Sequence, residues 1–270
     1  MLSLQVALLA ASFGTASPPP AQTLLLRYKP PVGKTYAYTL TSKSIQFLPT
    51  SPNPVKIDVE IPITLRITSR RGARATIDQT IGAPLLTLSP GNQLERMRPA
   101  LQKEIQKIAR QTVANEQGKL QTATHEKAES LTKLGKGIAQ ALQPIYFPPK
   151  PVKVGDTWTT SLDLKDTKDI DATVGAPTAP RQGLRVFYKL VGIEKRAGKT
   201  LARITVSCKG RATGRSPKGV LKLNVDTFTN ALIDTETGQL ESSTTTAKMA
   251  TTIHDKPDTR RRTVTTIKPR

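Results

Sequence analysis

The chain has 270 residues and carries 41 Lys and Arg against 20 Asp and Glu, a formal net charge of +21. Hydrophobic residues make up 37%, enough for a core at this length. No apolar run reaches the roughly 18 residues of a membrane-crossing helix, which excludes a helical transmembrane protein. Aromatic content of 4% argues against a stacking platform for single-stranded nucleic acid; one Cys excludes a disulfide framework and a multi-Cys metal site; two His leave little for histidine catalysis.

Residues 1–16 open with the uncharged apolar run Met1 to Phe13, followed by Gly14-Thr15-Ala16, small at the positions a signal peptidase reads. The pattern predicts a signal peptide cleaved near Ala16, and therefore export to the periplasm or the extracellular space. No Lys or Arg precedes the apolar run, so the alternative of a buried N-terminal helix stays open. Residues 17–22 form a Pro-rich linker.

Beyond it the chain reads as two similar β-rich halves, 23–145 and 146–252, with a basic strand or tail over 253–270. Pro31-Val32-Gly33-Lys34-Thr35-Tyr36 matches Lys153-Val154-Gly155-Asp156-Thr157-Trp158, and Gln117-Gly118-Lys119-Leu120 matches Thr237-Gly238-Gln239-Leu240. Nearly equal intervals separate the two pairs, and each half holds a basic turn between alternating strands: Arg70-Arg71-Gly72 in the first, Lys195-Arg196-Ala197-Gly198 in the second. Matched features in one order predict an internal duplication. Thr-, Val- and Ile-rich alternating runs at Tyr36 to Phe47, Val55 to Thr64, Leu184 to Ile193, Leu201 to Val206, Val220 to Phe228, Leu240 to Met249 and Arg262 to Ile267 predict strands. Short turns between them predict a mostly antiparallel sheet, curved or half-barrel in form.

Two stretches predict helices around 92–142. Leu94, Met97, Leu101, Ile105 and Ile108 recur at helical spacing within Gly91 to Val113, with Pro99 imposing a kink or restart; Leu131, Leu134, Ile138 and Leu142 do so within Glu126 to Leu142. The expected class is therefore α+β. Trp158, Tyr36, Tyr38, Phe187, Leu184 and Val206 are the expected core anchors.

Phe147-Pro148-Pro149-Lys150-Pro151-Val152-Lys153-Val154-Gly155-Asp156-Thr157-Trp158 resembles a segment of exported bacterial β-rich proteins of unknown function. In these a Leu-Pro-x-x-x-Val-x-Val-Gly-Asp-x-Trp run opens the second half. The resemblance implies export, a β-rich fold and, in many members, a lipid anchor; no lipobox Cys stands here to carry one. It implies no particular activity.

The chemical candidates are few. Asp163, Asp166, Asp169 and Asp171 read as a charge-balanced loop among Lys165 and Lys168 rather than a calcium site. His125 and His254 follow Thr runs. Cys208 shares a strand face with Ala202, Ile204 and Val206 and reads as a buried apolar residue. No catalytic or nucleotide-binding motif is present, so neither a catalytic site, a metal nor a cofactor is expected. Cations cluster at Arg70, Arg71 and Arg74; at Lys209, Arg211, Arg215 and Lys218; and at Arg260, Arg261 and Arg262. They are candidates for binding an envelope polyanion, without base-sequence specificity. The leading expectation is a non-catalytic envelope protein that binds a lipophilic ligand or an envelope partner through a β-sheet cleft. The alternatives are a hydrolase whose site the fold assembles and a polyanion-binding surface protein.

Overall fold

A computed structural model describes residues 23–49, 51–89, 110–118, 120–122, 145–162, 184–216, 219–253 and 259–270. In chain order their strands are β1 (Thr23–Leu24), β2 (Thr35–Phe47), β3 (Val55–Arg71), β4 (Arg74–Ile81), β5 (Leu85–Ser89), β6 (Arg110–Ala114), β7 (Leu120–Thr122), β8 (Val152–Lys153), β9 (Thr157–Leu162), β10 (Leu184–Arg196), β11 (Lys199–Ser216), β12 (Gly219–Asp234), β13 (Leu240–Ile253) and β14 (Thr259–Pro269). β1 and β8 form a short antiparallel pair. The others make one antiparallel sheet in the order β7-β6-β4-β3-β2-β14-β13-β12-β11-β10-β9, with β5 beside the start of β3. Among the described residues the path is open at β7 and β9, and no closed barrel forms.

The α+β expectation is overturned: the described residues contain no helix. Arg110–Ala114, at the end of the first apolar-periodic stretch, where the periodicity leaves the helix's end open, is strand β6 between β4 and β7. Thr112 and Val113 are β-branched, and the free edge of β4 offers this segment a complete ladder, so pairing wins over local periodicity. The rest of that stretch, and the helix expected over Glu126 to Leu142, lie outside the described residues. Phe187 is also corrected. It stands 46% exposed, because its strand neighbours Val186 and Tyr188 take the core side. Tyr38 and Val206 are buried, Tyr36 and Trp158 pack against the core from its margin, and the Leu184 side chain lies outside the described residues.

One end of the sheet is clamped. Gly33 N–H donates to Ile67 O at 2.8 Å and Ile67 N–H returns to Lys34 O at 2.9 Å; Gly155 N–H and Leu190 O, with Leu190 N–H and Asp156 O, repeat the arrangement at 2.8 and 3.1 Å. Both partner strands carry a register shift just beyond, between Ile67 and Ser69 and between Leu190 and Gly192. The turns after β6 and β12 also match: Asn115 Oδ1 accepts from Gln117 N–H at 3.1 Å and Asp234 Oδ1 from Glu236 N–H at 2.9 Å. Each turn closes on a left-handed glycine, Gly118 at φ 78° and Gly238 at φ 69°. Across the turns run the segments leading into β2 and β9: Tyr28 N–H donates to Glu116 O at 2.8 Å, Lys29 N–H to Thr237 O at 2.7 Å and Phe147 N–H to Gln117 O at 2.9 Å. Their side chains Leu26, Tyr28, Ile145 and Phe147 are buried with Ile63, Ile67, Leu190 and Ile204 in the apolar core.

Candidate functional site

Toward the opposite end the core-facing side changes character. Period-2 alternation puts Thr227 and Thr229 of β12, Thr245 and Ala247 of β13, Thr263 and Thr265 of β14, and Ser42 and Ser44 of β2 on that side. All are buried or half-buried. Bulkier residues flank this strip: Val206 and Cys208 on β11, Ile57 and Val59 on β3. The hydroxyls satisfy one another. Thr229 and Thr245 Oγ1 lie 2.9 Å apart, as do Ser44 Oγ and Thr263 Oγ1, and Thr265 donates to Ser42 Oγ at 3.3 Å. Paired in this way, the hydroxyls take up part of one another's hydrogen-bonding capacity, and the strip is a floor of small residues. At its end stands Arg261, whose guanidinium donates to Ser44 Oγ at 3.0 and 3.3 Å. A cavity of about 270 Å³ near this end is lined mostly from the opposite, solvent-facing side of the strands, by Asn224, Asp226, Lys248, Ala250, Arg260 and Arg262, with Val225, Met249 and Arg261.

The candidate cations separate into two groups. Arg70, Arg71 and Arg74 sit on the β3–β4 hairpin at the clamped end, where Arg70 reaches Glu116 at 3.9 Å. Lys209, Arg211, Arg260 and Arg262 lie at the other end, about 50 Å of extended strand away. They face solvent there; Arg261 is exposed as well, but has the strand parity of the core-facing side. The Arg215 side chain and Lys218 lie outside the described residues. One register row runs Lys209–Asp226–Lys248–Arg262–Ile45–Lys56 across six strands, so strand pairing brings two clusters distant in sequence onto one face. Lys43, Lys56 and Lys248 belong to that face and were missed by cluster counting, because each is isolated in sequence. Alternation was the available signal: Lys43, Ile45 and Phe47 share a parity, as do Arg262 and Val264.

Of the chemical candidates, Cys208 is 6% exposed and free. Burial first, and then the charge of Asp226, pushes its thiol up, which keeps it protonated and weakly nucleophilic. Asp163, Asp166, Asp169, Asp171, His125 and His254 lie outside the described residues. Among the described residues, no group of three His, Cys, Asp or Glu is placed to hold a metal ion. No helix among them is long and apolar enough to cross a membrane.

No protein-family model matches the chain, and no curated protein matches it in sequence. The fold is similar to a segment of lipovitellin. The match, to a lipovitellin structure concerned with lipid–protein interactions, has a TM-score of 0.54 at 13% identity and covers 89% of this chain. The chain spans 25% of the lipovitellin chain. An outer membrane channel from Pseudomonas putida F1 aligns over 89% of this chain and 96% of its own at 9% identity, with a TM-score of 0.26, too low for a shared fold.

Proposed function

We propose that this is an exported, non-catalytic protein of the cell envelope that binds an anionic amphiphile, laying its acyl chain on the small-residue strip and its acidic headgroup against Arg261. The observation that carries the reading is the strip itself: mutually paired hydroxyls between flanking walls of Val206, Cys208, Ile57 and Val59, ending at a guanidinium. Pockets for lipophilic ligands combine a low-polarity surface with a few placed polar groups. The similarity of fold to part of lipovitellin, a protein whose solved structure concerns lipid–protein interactions, supports the same reading. The apolar leader and small-residue cleavage site support export, as does the resemblance of the Val152–Trp158 segment to exported proteins.

The test is organic extraction of the purified full chain followed by mass spectrometry, with titration of a fluorescent fatty acid into the delipidated protein. The expected result is co-purified lipid and saturable binding. Ala247→Trp, which fills the strip, should abolish that binding, and Arg261→Gln should lower affinity about tenfold for the acid but not for its methyl ester. A protein that arrives empty and binds no fatty acid, or binds it equally in both variants, overturns the reading.

A further inference from the structure

The solvent-facing side of the same strands carries an arrangement that a ligand strip does not require. The row beside the basic one runs Phe187–Ser207–Phe228–Thr246–Val264–Lys43. The row on its other side runs Arg211–Asn224–Ala250–Arg260–Phe47. Phe187, Phe228, Val264, Ile45 and Phe47 are between 38% and 46% exposed. Around them stand seven cations, Lys43, Lys56, Lys209, Arg211, Lys248, Arg260 and Arg262, against the two aspartates Asp58 and Asp226. One of those aspartates already faces Lys209 at 3.5 Å. With strands about 4.8 Å apart and same-face rows about 7 Å apart, the patch measures about 25 by 14 Å.

A face that served only solubility would carry the cations without the phenylalanines. A face built for a protein partner is depleted in Lys at its centre. Large apolar side chains set among Lys and Arg on one broad surface match a layer of anionic headgroups over hydrocarbon, the phenylalanines entering the layer and the cations meeting phosphates. We propose that this face docks the protein on an anionic lipid bilayer. The Arg70–Arg71–Arg74 hairpin, at the far end of the sheet, takes no part. The docking face is independent of the ligand strip: the two lie on opposite sides of β12–β14 and β2.

The test is co-sedimentation of the full chain with vesicles of phosphatidylglycerol and phosphatidylcholine, and with phosphatidylcholine alone, over a range of salt. Binding is expected to the anionic vesicles only and to weaken steeply with salt. Phe187→Ser with Phe228→Ser should reduce it at least tenfold while leaving the salt slope intact. Lys43→Gln, Lys56→Gln and Arg211→Gln together should flatten the slope and cost on the order of 100-fold at low salt, at about fivefold per cation. The matching triple replacement of Arg70, Arg71 and Arg74 should leave binding within about threefold, and unchanged melting curves show that each variant folds. No binding to anionic vesicles, or equal binding to neutral ones, overturns the proposal. So does vesicle binding that ignores the phenylalanine pair, which would mark a general polyanion surface, or a wild-type dimer that the pair dissolves, which would mark a contact between copies. Fatty-acid binding by the phenylalanine variant reports separately on the ligand strip. Loss of docking with loading retained therefore separates this proposal from the reading above.

Discussion

The two ends of the sheet are made from the same alternating strands yet carry different side chains on their core-facing sides. At the clamped end the core-facing positions are Ile63, Ile67, Leu190 and Ile204, sealed by the crossing segments that hold Leu26 and Phe147. At the other end the same faces of β12, β13, β14 and β2 carry Thr, Ser and Ala, and cations occupy the reverse side of the same strands. Side-chain volume makes the difference. Large aliphatic residues fill space and fix the clamped end, while the other end is lined by small residues whose hydroxyls pair. Stability is therefore concentrated away from the proposed ligand strip.

The sharpest way to break that comparison is Gly238→Ala. A Cβ there would lie 2.2 Å from Arg27 O, on a residue already at φ 69°. Backbone must move, and a loss of roughly 4 kcal/mol or more is expected, read as failure to fold or as a collapsed melting temperature. Gly118→Ala, whose Cβ would meet Ile145 O at 3.0 Å, should cost about 2 kcal/mol. Gly33→Ala, with open space around it, should cost about 1 kcal/mol from its positive φ alone. If the three losses come out equal, the crossing segments do not clamp the turns.

Next in size is a core truncation at each end. Ile204 is fully buried, so Ile204→Ala should cost about 3 kcal/mol in denaturant unfolding. Thr245→Val removes one partner of the 2.9 Å pair with Thr229 but keeps its volume, and should stay within about 1 kcal/mol. A Thr245→Val loss as large as that of Ile204→Ala would mean that the hydroxyl strip is core and would count against a ligand surface.

These contrasts also mark how far the sequence could be read. Alternation located most strands and set their faces, which is why Ile204, Val206 and Cys208 were legible as one buried side. The repeated Val-Gly and Gly-polar-Leu motifs were legible because left-handed backbone calls for glycine at Gly33, Gly155, Gly118 and Gly238. Strand order was not legible. Nothing in the local sequence of Thr259–Pro269 tells that it lies between β13 and β2, since that position depends on edges offered by distant segments. For the same reason the Lys209 and Arg260–Arg262 clusters looked separate until their shared rows were known. Phe187 is apolar, but its parity with Arg185 and Lys189 puts it on the solvent side.

Alkaline pH tests the clamped end in another way. Burial, reinforced by the charges of Asp234 and Glu241, pushes Tyr36 up to about 12. Burial likewise carries Tyr188 to about 12 and raises Tyr38, whose hydroxyl donates to Leu240 O at 2.7 Å. The unfolded phenols titrate near about 10, so the folded state holds these protons more tightly. The stability linked to them is present in full below about pH 10 and is lost as pH rises toward about 12. Melting temperature should therefore hold to about pH 10 and then fall, with phenolate absorbance at these sites appearing together with unfolding. Tyr188→Phe, which keeps the ring stacked on Trp158 at 5.5 Å, should make the fall shallower. Phenolate appearing near pH 10 in folded protein would show that these rings are open to solvent.

The smallest effect expected is a gain, and it comes from comparing two hairpins. The β3–β4 loop is Gly72-Ala73, with positive φ at Gly72; the β10–β11 loop is Ala197-Gly198, with positive φ at both residues, 49° and 78°. The second is the geometry of a type I′ turn, whose first position favours Asn or Gly and strains Ala, because the Cβ crowds the backbone in the left-handed region. Ala197→Asn relieves that strain without touching a neighbour, since the position is exposed. It should stabilise the protein by about 1 kcal/mol, a rise of about 2–4 °C in melting temperature. Ala73→Asn, in the loop whose second residue keeps negative φ, should change little. Equal gains at both positions would trace the effect to the unfolded chain and remove the difference in turn geometry as its cause.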